Sequence, residues 1–85
     1  MKVSVVYALP EEQVWMDVMM EEPATVLAAI TQSNIIRLFP NIDLEKQKVG
    51  VFGKVCQLDT QVNDGDRIEI YRPITWKDED EDDDD

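Results

Sequence analysis

Histidine is absent from the 85 residues, and cysteine occurs once, at Cys56. A lone thiol forms no intrachain disulfide and no four-thiolate cluster, and without histidine it lacks the usual base that would make it a nucleophile. Cys56 therefore reads as a small apolar side chain near a helix. Sparse cysteine fits a reducing compartment, so the cytoplasm is the expected location. Acid–base and metal catalysis draw on histidine or on carboxylates that converge in a pocket. The one dense run of carboxylates is residues 78–85, DEDEDDDD, a segment that holds no fixed geometry. The expectation is a protein without catalytic residues, cofactor or metal site. No apolar run approaches the roughly 18 residues of a membrane span. MKVSVVYAL lacks the unbroken apolar stretch and small-residue cleavage site of a signal peptide. Direct membrane insertion is not expected.

Basic residues are also scarce: eight Lys and Arg against nineteen Asp and Glu, a net charge of −11. Removing the eight carboxylates of residues 78–85 leaves eleven acidic residues against eight basic ones, a net of −3. The body is thus only mildly acidic. Nucleic-acid binding is disfavoured, because it rests on a basic surface. A run of like charges without apolar residues cannot pack, which predicts a disordered acidic tail over 77–85 after a single domain over 1–76. The tail reads either as a solubilising segment or as a lure for a basic partner.

With 44% hydrophobic residues, the body is that of a globular domain. Lys2–Leu9 places Val3, Val5, Tyr7 and Leu9 on one side of a strand, and Gln13–Met20 does the same with Val14, Met16, Val18 and Met20. The break between them predicts a hairpin. Thr25 is a good N-cap for a helix ending near Gln32, in which Ile30 faces the core. Ser33 is read as the cap of a second helical stretch, Asn34–Phe39, stopped by Pro40. Strands follow at Lys48–Phe52, Val55–Leu58 and Arg67–Arg72, the last turning Ile68 and Ile70 one way and Arg67, Glu69 and Tyr71 the other. The order β-β-α-β-β-β makes an α+β domain, a mixed sheet packed on one main helix.

KVGVFGK at 48–54 invites comparison with a phosphate-binding loop. That loop needs G-x-x-x-x-G-K-[ST] between a strand and a helix. Gly50 and Gly53 stand too close together, Val55 occupies the hydroxyl position, and VCQLD is β-like. The segment reads as strand–turn–strand, with Val49, Val51 and Phe52 packing, Gly53-Lys54 turning and Gly50 marking a close backbone approach.

VVYALP at 5–10, FPNIDLEKQKVGVFGK at 39–54 and DGDRIEIYRPI at 64–74 make the body resemble the RnfH family of small bacterial ubiquitin-like, β-grasp proteins. The resemblance spans about residues 3–74 and implies a sheet that grasps a helix. The biochemical activity of this family is not established. Two associations follow from the resemblance: a membrane electron-transport complex, and a partner role in a toxin–antitoxin pair.

β-Grasp proteins differ in what they add to the fold. A sulfur carrier or ubiquitin-like modifier ends in Gly-Gly, and no two glycines are adjacent in these residues. A plant-type ferredoxin needs four cysteines. A protein-interaction module remains, a monomer with a protein partner of unknown identity. Tyr71, Arg72, Ile74 and Trp76 are the first candidates for its surface, because Tyr, Trp and Arg dominate interface hot spots; they also suit a plain cover for the open sheet. Lys2, Trp15 and Met19 are expected on that side. Lys48, Lys54, Arg67 and Arg72 form either a basic patch or a solvated strand face. Phe39, Ile42 and Leu44 read as satellite core.

Overall fold

The computed structural model describes residues 1–9 and 11–72. The elements are β1 (Lys2–Ala8), β2 (Gln13–Met19), β3 (Ala24–Thr25), α1 (Val26–Ser33), α2 (Ile35–Leu38), β4 (Val49–Val51), β5 (Lys54–Cys56), β6 (Gln61–Val62) and β7 (Arg67–Ile70). Five strands form one mixed sheet in the order β2-β1-β7-β4-β5, and β3 pairs with β6 in a separate two-stranded ribbon. β1 and β7 run parallel at the centre, while β2, β4 and β5 pair antiparallel with their neighbours.

Alternation decides which side of the sheet is covered. Val3, Val5, Tyr7, Val18, Val49, Ile68 and Ile70 are buried and share one core with Val26, Ala29 and Ile30 of α1. Burying each Val or Ile side chain among them contributes roughly 1.5–3 kcal/mol. Ile30 is fully buried, as its helical phase requires. α1 starts where expected: Thr25 Oγ1 accepts the N–H of Ala28 at 3.1 Å. Ile42 is buried, Phe39 and Leu44 pack against the core, and the Phe39 ring meets Tyr7 edge-on at 5.4 Å.

Several boundaries differ from the expectation. The turn after β4 is Phe52-Gly53, with φ of 50° and 83°, not Gly53-Lys54. Two successive positive φ values make the tight hairpin turn whose twist matches its strands. Lys54 therefore pairs with Val51, and β5 spans 54–56, not 55–58. Phe52 leaves the strand and stands exposed at the turn, so it is not a packing residue. Asn34, in the left-handed region with φ 62°, holds the N-cap position of α2 without a side-chain cap bond, and the hydroxyl that serves the first N–H is that of Ser33, as expected. Ser33 belongs to α1; its hydroxyl donates to the Ile30 carbonyl at 2.6 Å and accepts the Ile35 N–H at 3.2 Å. β3 and β6 were not anticipated, since two-residue strands carry no periodicity.

Candidate functional site

With one face of the sheet packed on α1, the other carries no covering element among the described residues. Register places on it Trp15, Asp17 and Met19 of β2, Lys2, Ser4, Val6 and Ala8 of β1, Arg67 and Glu69 of β7, Gly50 of β4 and Val55 of β5. Trp15 (53% exposed), Met19 (67%) and Val55 (61%) are large apolar groups in solvent. Val6 is buried on this side, flanked in register by Trp15 and Glu69. A shallow depression between β2, β1 and β7 is lined by Val6, Ala8, Gln13, Glu69 and Tyr71.

Glu69 organises the middle of the face. Its Oε1 accepts the Tyr71 hydroxyl at 2.7 Å and the Gly53 N–H at 2.9 Å. Its Oε2 lies 3.1 Å from Arg67 Nε. That contact is an ion pair off the line of a hydrogen bond, so the buried Nε–H has no hydrogen-bonded acceptor among the described residues. The Arg67 guanidinium sits 5.4 Å from the centre of the Phe52 ring, within cation–π range. Partial burial, reinforced by the hydrogen bond to Glu69 and its charge, pushes the Tyr71 phenol up to about 12. Tyr71 is further fixed through its backbone: its N–H donates to the Lys48 carbonyl at 2.9 Å, and its carbonyl accepts from the buried Gln47 side chain at 3.0 Å. Gly50 leaves the room this requires, because a Cβ there would lie 2.6 Å from the Tyr71 hydroxyl.

Towards β2, Trp15 is also held. Its indole N–H and the Ser4 hydroxyl each donate to Asp17 Oδ1 at 3.0 Å. These two hydrogen bonds, Trp15 first, hold the Asp17 carboxyl below its ordinary value. The face thus presents aromatic rings and a guanidinium in set orientations, with little side-chain freedom left to lose on contact.

Of the residues singled out from sequence, Arg67 and Tyr71 come together through Glu69. Lys54 pairs with Val51 and shares the pleat side of Ile68, opposite to Arg67. Lys48 precedes β4 and Arg72 follows Tyr71, both exposed. The four cations are therefore not gathered on one face of the sheet. Ile74 and Trp76, like residues 77–85, lie outside the described residues. Glu69 was missed as a site residue, although its place between Arg67 and Tyr71 in the alternation was visible. No group of three or more Cys, Asp or Glu able to hold a metal occurs among the described residues. The larger open cleft beside β5 is lined by 44–49 and 55–59, and it includes Cys56 and Lys48.

A mixed five-stranded sheet grasping one main helix defines a ubiquitin-like β-grasp protein. The crystal structure of SAMP1 from Haloferax volcanii superposes with a TM-score of 0.65 at 14% identity, covering 88% of this chain and 98% of that one. A putative molybdopterin converting factor, subunit 1, from Pyrococcus furiosus gives 0.63 at 20% identity, covering 86% and 98%. At such identities the likeness shows the fold alone. The family described as RnfH family Ubiquitin matches residues 1–83. Protein RnfH of Paramagnetospirillum magneticum is 57% identical over 75 residues, 88% of this chain and 77% of that protein. Protein RnfH of Azotobacter vinelandii is 53% identical over 79 residues, 93% and 92% of the two chains. The chain belongs to the RnfH family.

Proposed function

We propose that the chain is a non-catalytic protein-interaction module of the cytoplasm that docks a protein partner on the open face of its sheet. The carrying observation is the set of fixed, solvent-facing groups on that face: Trp15 tied to Asp17, and Arg67, Glu69 and Tyr71 linked across β7. An idle sheet surface needs no such anchoring, whereas interface hot spots are rich in Trp, Tyr and Arg. Family resemblance offers two settings for the partner, a membrane electron-transport complex and a toxin–antitoxin pair. The alternative, a sulfur carrier or ubiquitin-like modifier, would need a Gly-Gly pair, and these residues contain none.

The test is capture of a partner on the immobilised full chain, followed by affinities for the parent and for Arg67→Ala, Tyr71→Ala and Leu38→Ala. Circular dichroism first establishes that each variant is folded. Loss of a buried anchor costs at least about 2 kcal/mol, roughly thirtyfold in affinity. Both open-face variants are expected to show that loss, while Leu38→Ala, exposed on α2, binds like the parent. Folded open-face variants that bind as tightly as the parent would refute the reading.

A further inference from the structure

We propose that the free edge of β2 takes up an extended, basic segment of a partner protein as a sixth strand of the sheet. The inference rests on the protein-interaction reading above and names the partner's chemistry.

The two edges of the sheet are unequal. β5 offers three residues, whereas β2 offers seven, paired one-to-one with β1 without a bulge and without proline. Met1 and Met20 exchange both hydrogen bonds, Met20 N–H to Met1 at 2.8 Å and the Met1 amino group to Met20 at 2.7 Å. Antiparallel pairs alternate, so Val18, Met16 and Val14 also bond to β1. The backbone groups of Gln13, Trp15, Asp17 and Met19 therefore point away from the sheet. The Met19 carbonyl confirms this direction: it accepts the Gln32 side-chain amide at 2.9 Å, which closes the edge at that end. Among the described residues, the N–H and C=O groups of Gln13, Trp15 and Asp17 have no strand beside them and form an open ladder.

Charge identifies the occupant. Glu11 and Glu12 precede β2, Asp17 lies within it, and Glu21 and Glu22 follow, all exposed. Among the described residues, Lys2, opposite Met19, is the cation of this margin. A second copy pairing through the same edge would lay one acidic margin along another, an approach of like net charge that is unfavourable. A lysine- or arginine-bearing strand meets opposite charge instead. Trp15 and Met19 supply apolar contact for alternate side chains of such a strand.

The probe is a short synthetic peptide of alternating valine and lysine, added to the ¹⁵N-labelled full chain while amide hydrogen exchange is followed by NMR. The amides of Gln13, Trp15 and Asp17 are expected to slow by about tenfold or more, with those of Val14, Met16 and Val18 little changed. A glutamate-for-lysine peptide and a backbone N-methylated peptide should have no such effect. Trp15→Pro, which removes an outward N–H that β1 does not use, should abolish it; the peptide series stands even if that variant does not fold. No protection from the lysine peptide at millimolar concentration, or equal binding by the N-methylated peptide, would overturn the proposal. Protection that appears without peptide and grows with protein concentration would make the occupant a second copy and also overturn it. If the lysine peptide perturbs only Val6, Val55 and Arg67, strand addition falls and the open-face reading survives. If edge protection appears while the open-face variants keep full partner affinity, that reading falls and strand addition stands.

Discussion

Gly50→Ala joins the fold to the proposed site. An added Cβ would lie 2.5 Å from the Lys54 carbonyl oxygen and 2.6 Å from the Tyr71 hydroxyl, well inside contact distance. The carbonyl belongs to the paired backbone of β5 and cannot retreat without loosening the hairpin, whereas the hydroxyl can swing away by giving up Glu69. Overpacking of this kind costs about 1–3 kcal/mol. A clash with paired backbone lies in the upper part of that range, about 2–3 kcal/mol, and replacing glycine in a strand returns about 0.5–1 kcal/mol through backbone entropy, so the expected net loss is about 1–2 kcal/mol. With a urea slope of about 1 kcal/mol/M for so small a domain, the midpoint should fall by about 1–2 M. In a Tyr71→Phe background one of the two close contacts is gone, so the same substitution should cost about 0.5–1 kcal/mol less, yet not zero. A neutral or stabilising Gly50→Ala would refute the close approach of the hairpin strands. An equal cost in both backgrounds would show that the Tyr71 hydroxyl does not lie over Gly50.

Ile30→Ala removes a fully buried side chain between helix and sheet and should cost about 2–5 kcal/mol by chemical denaturation; a loss of a few tenths would mean that α1 is wrongly phased. Absorbance titration at alkaline pH, parent minus Tyr71→Phe, should place Tyr71 near 12, and Glu69→Gln should move it part of the way back. Because this value is raised above the unfolded one of 10.0, the neutral phenol's stabilising contribution is present below pH 10 and is lost between 10 and about 12; a Tyr71 titrating near 10 would contradict the contact with Glu69. Deleting residues 78–85 should change the melting temperature by no more than a few degrees, whereas failure of the shortened chain to fold would mean that the acidic segment is docked.

The central strands were legible because they alternate over several residues: Val3, Val5 and Tyr7, then Ile68 and Ile70, have one buried side each. Thr25 was legible as a cap because a hydroxyl before an apolar helical run has one obvious use. The hairpin turn was misplaced by one residue because sequence favours Gly-Lys there, and nothing local shows that Phe52 adopts positive φ with Arg67 over its ring. That single shift moves the pairing of β5 by two residues and brings Lys54 out of the turn and into the strand, on the side of Val51. Together with the alternation of β7, it sends Lys54 and Arg67 to opposite faces. A scatter of cations along the chain carries no information on which face each will occupy. Val6 was not foreseen as buried, since its cover comes from β2 and β7, one of them more than 60 positions away. The network around Glu69 was half visible: alternation set Arg67, Glu69 and Tyr71 on one side, but the Gly53 amide joins only after the hairpin closes.

Whether the open face docks the partner is decided by cross-saturation NMR on the labelled chain bound to the captured protein. Saturating the partner should attenuate the amides of Val6, Trp15, Val55, Arg67, Glu69 and Tyr71 and spare α1 and α2. Attenuation confined to Leu27, Thr31 and Leu38, with the sheet face unaffected, would contradict the docking site proposed for this protein.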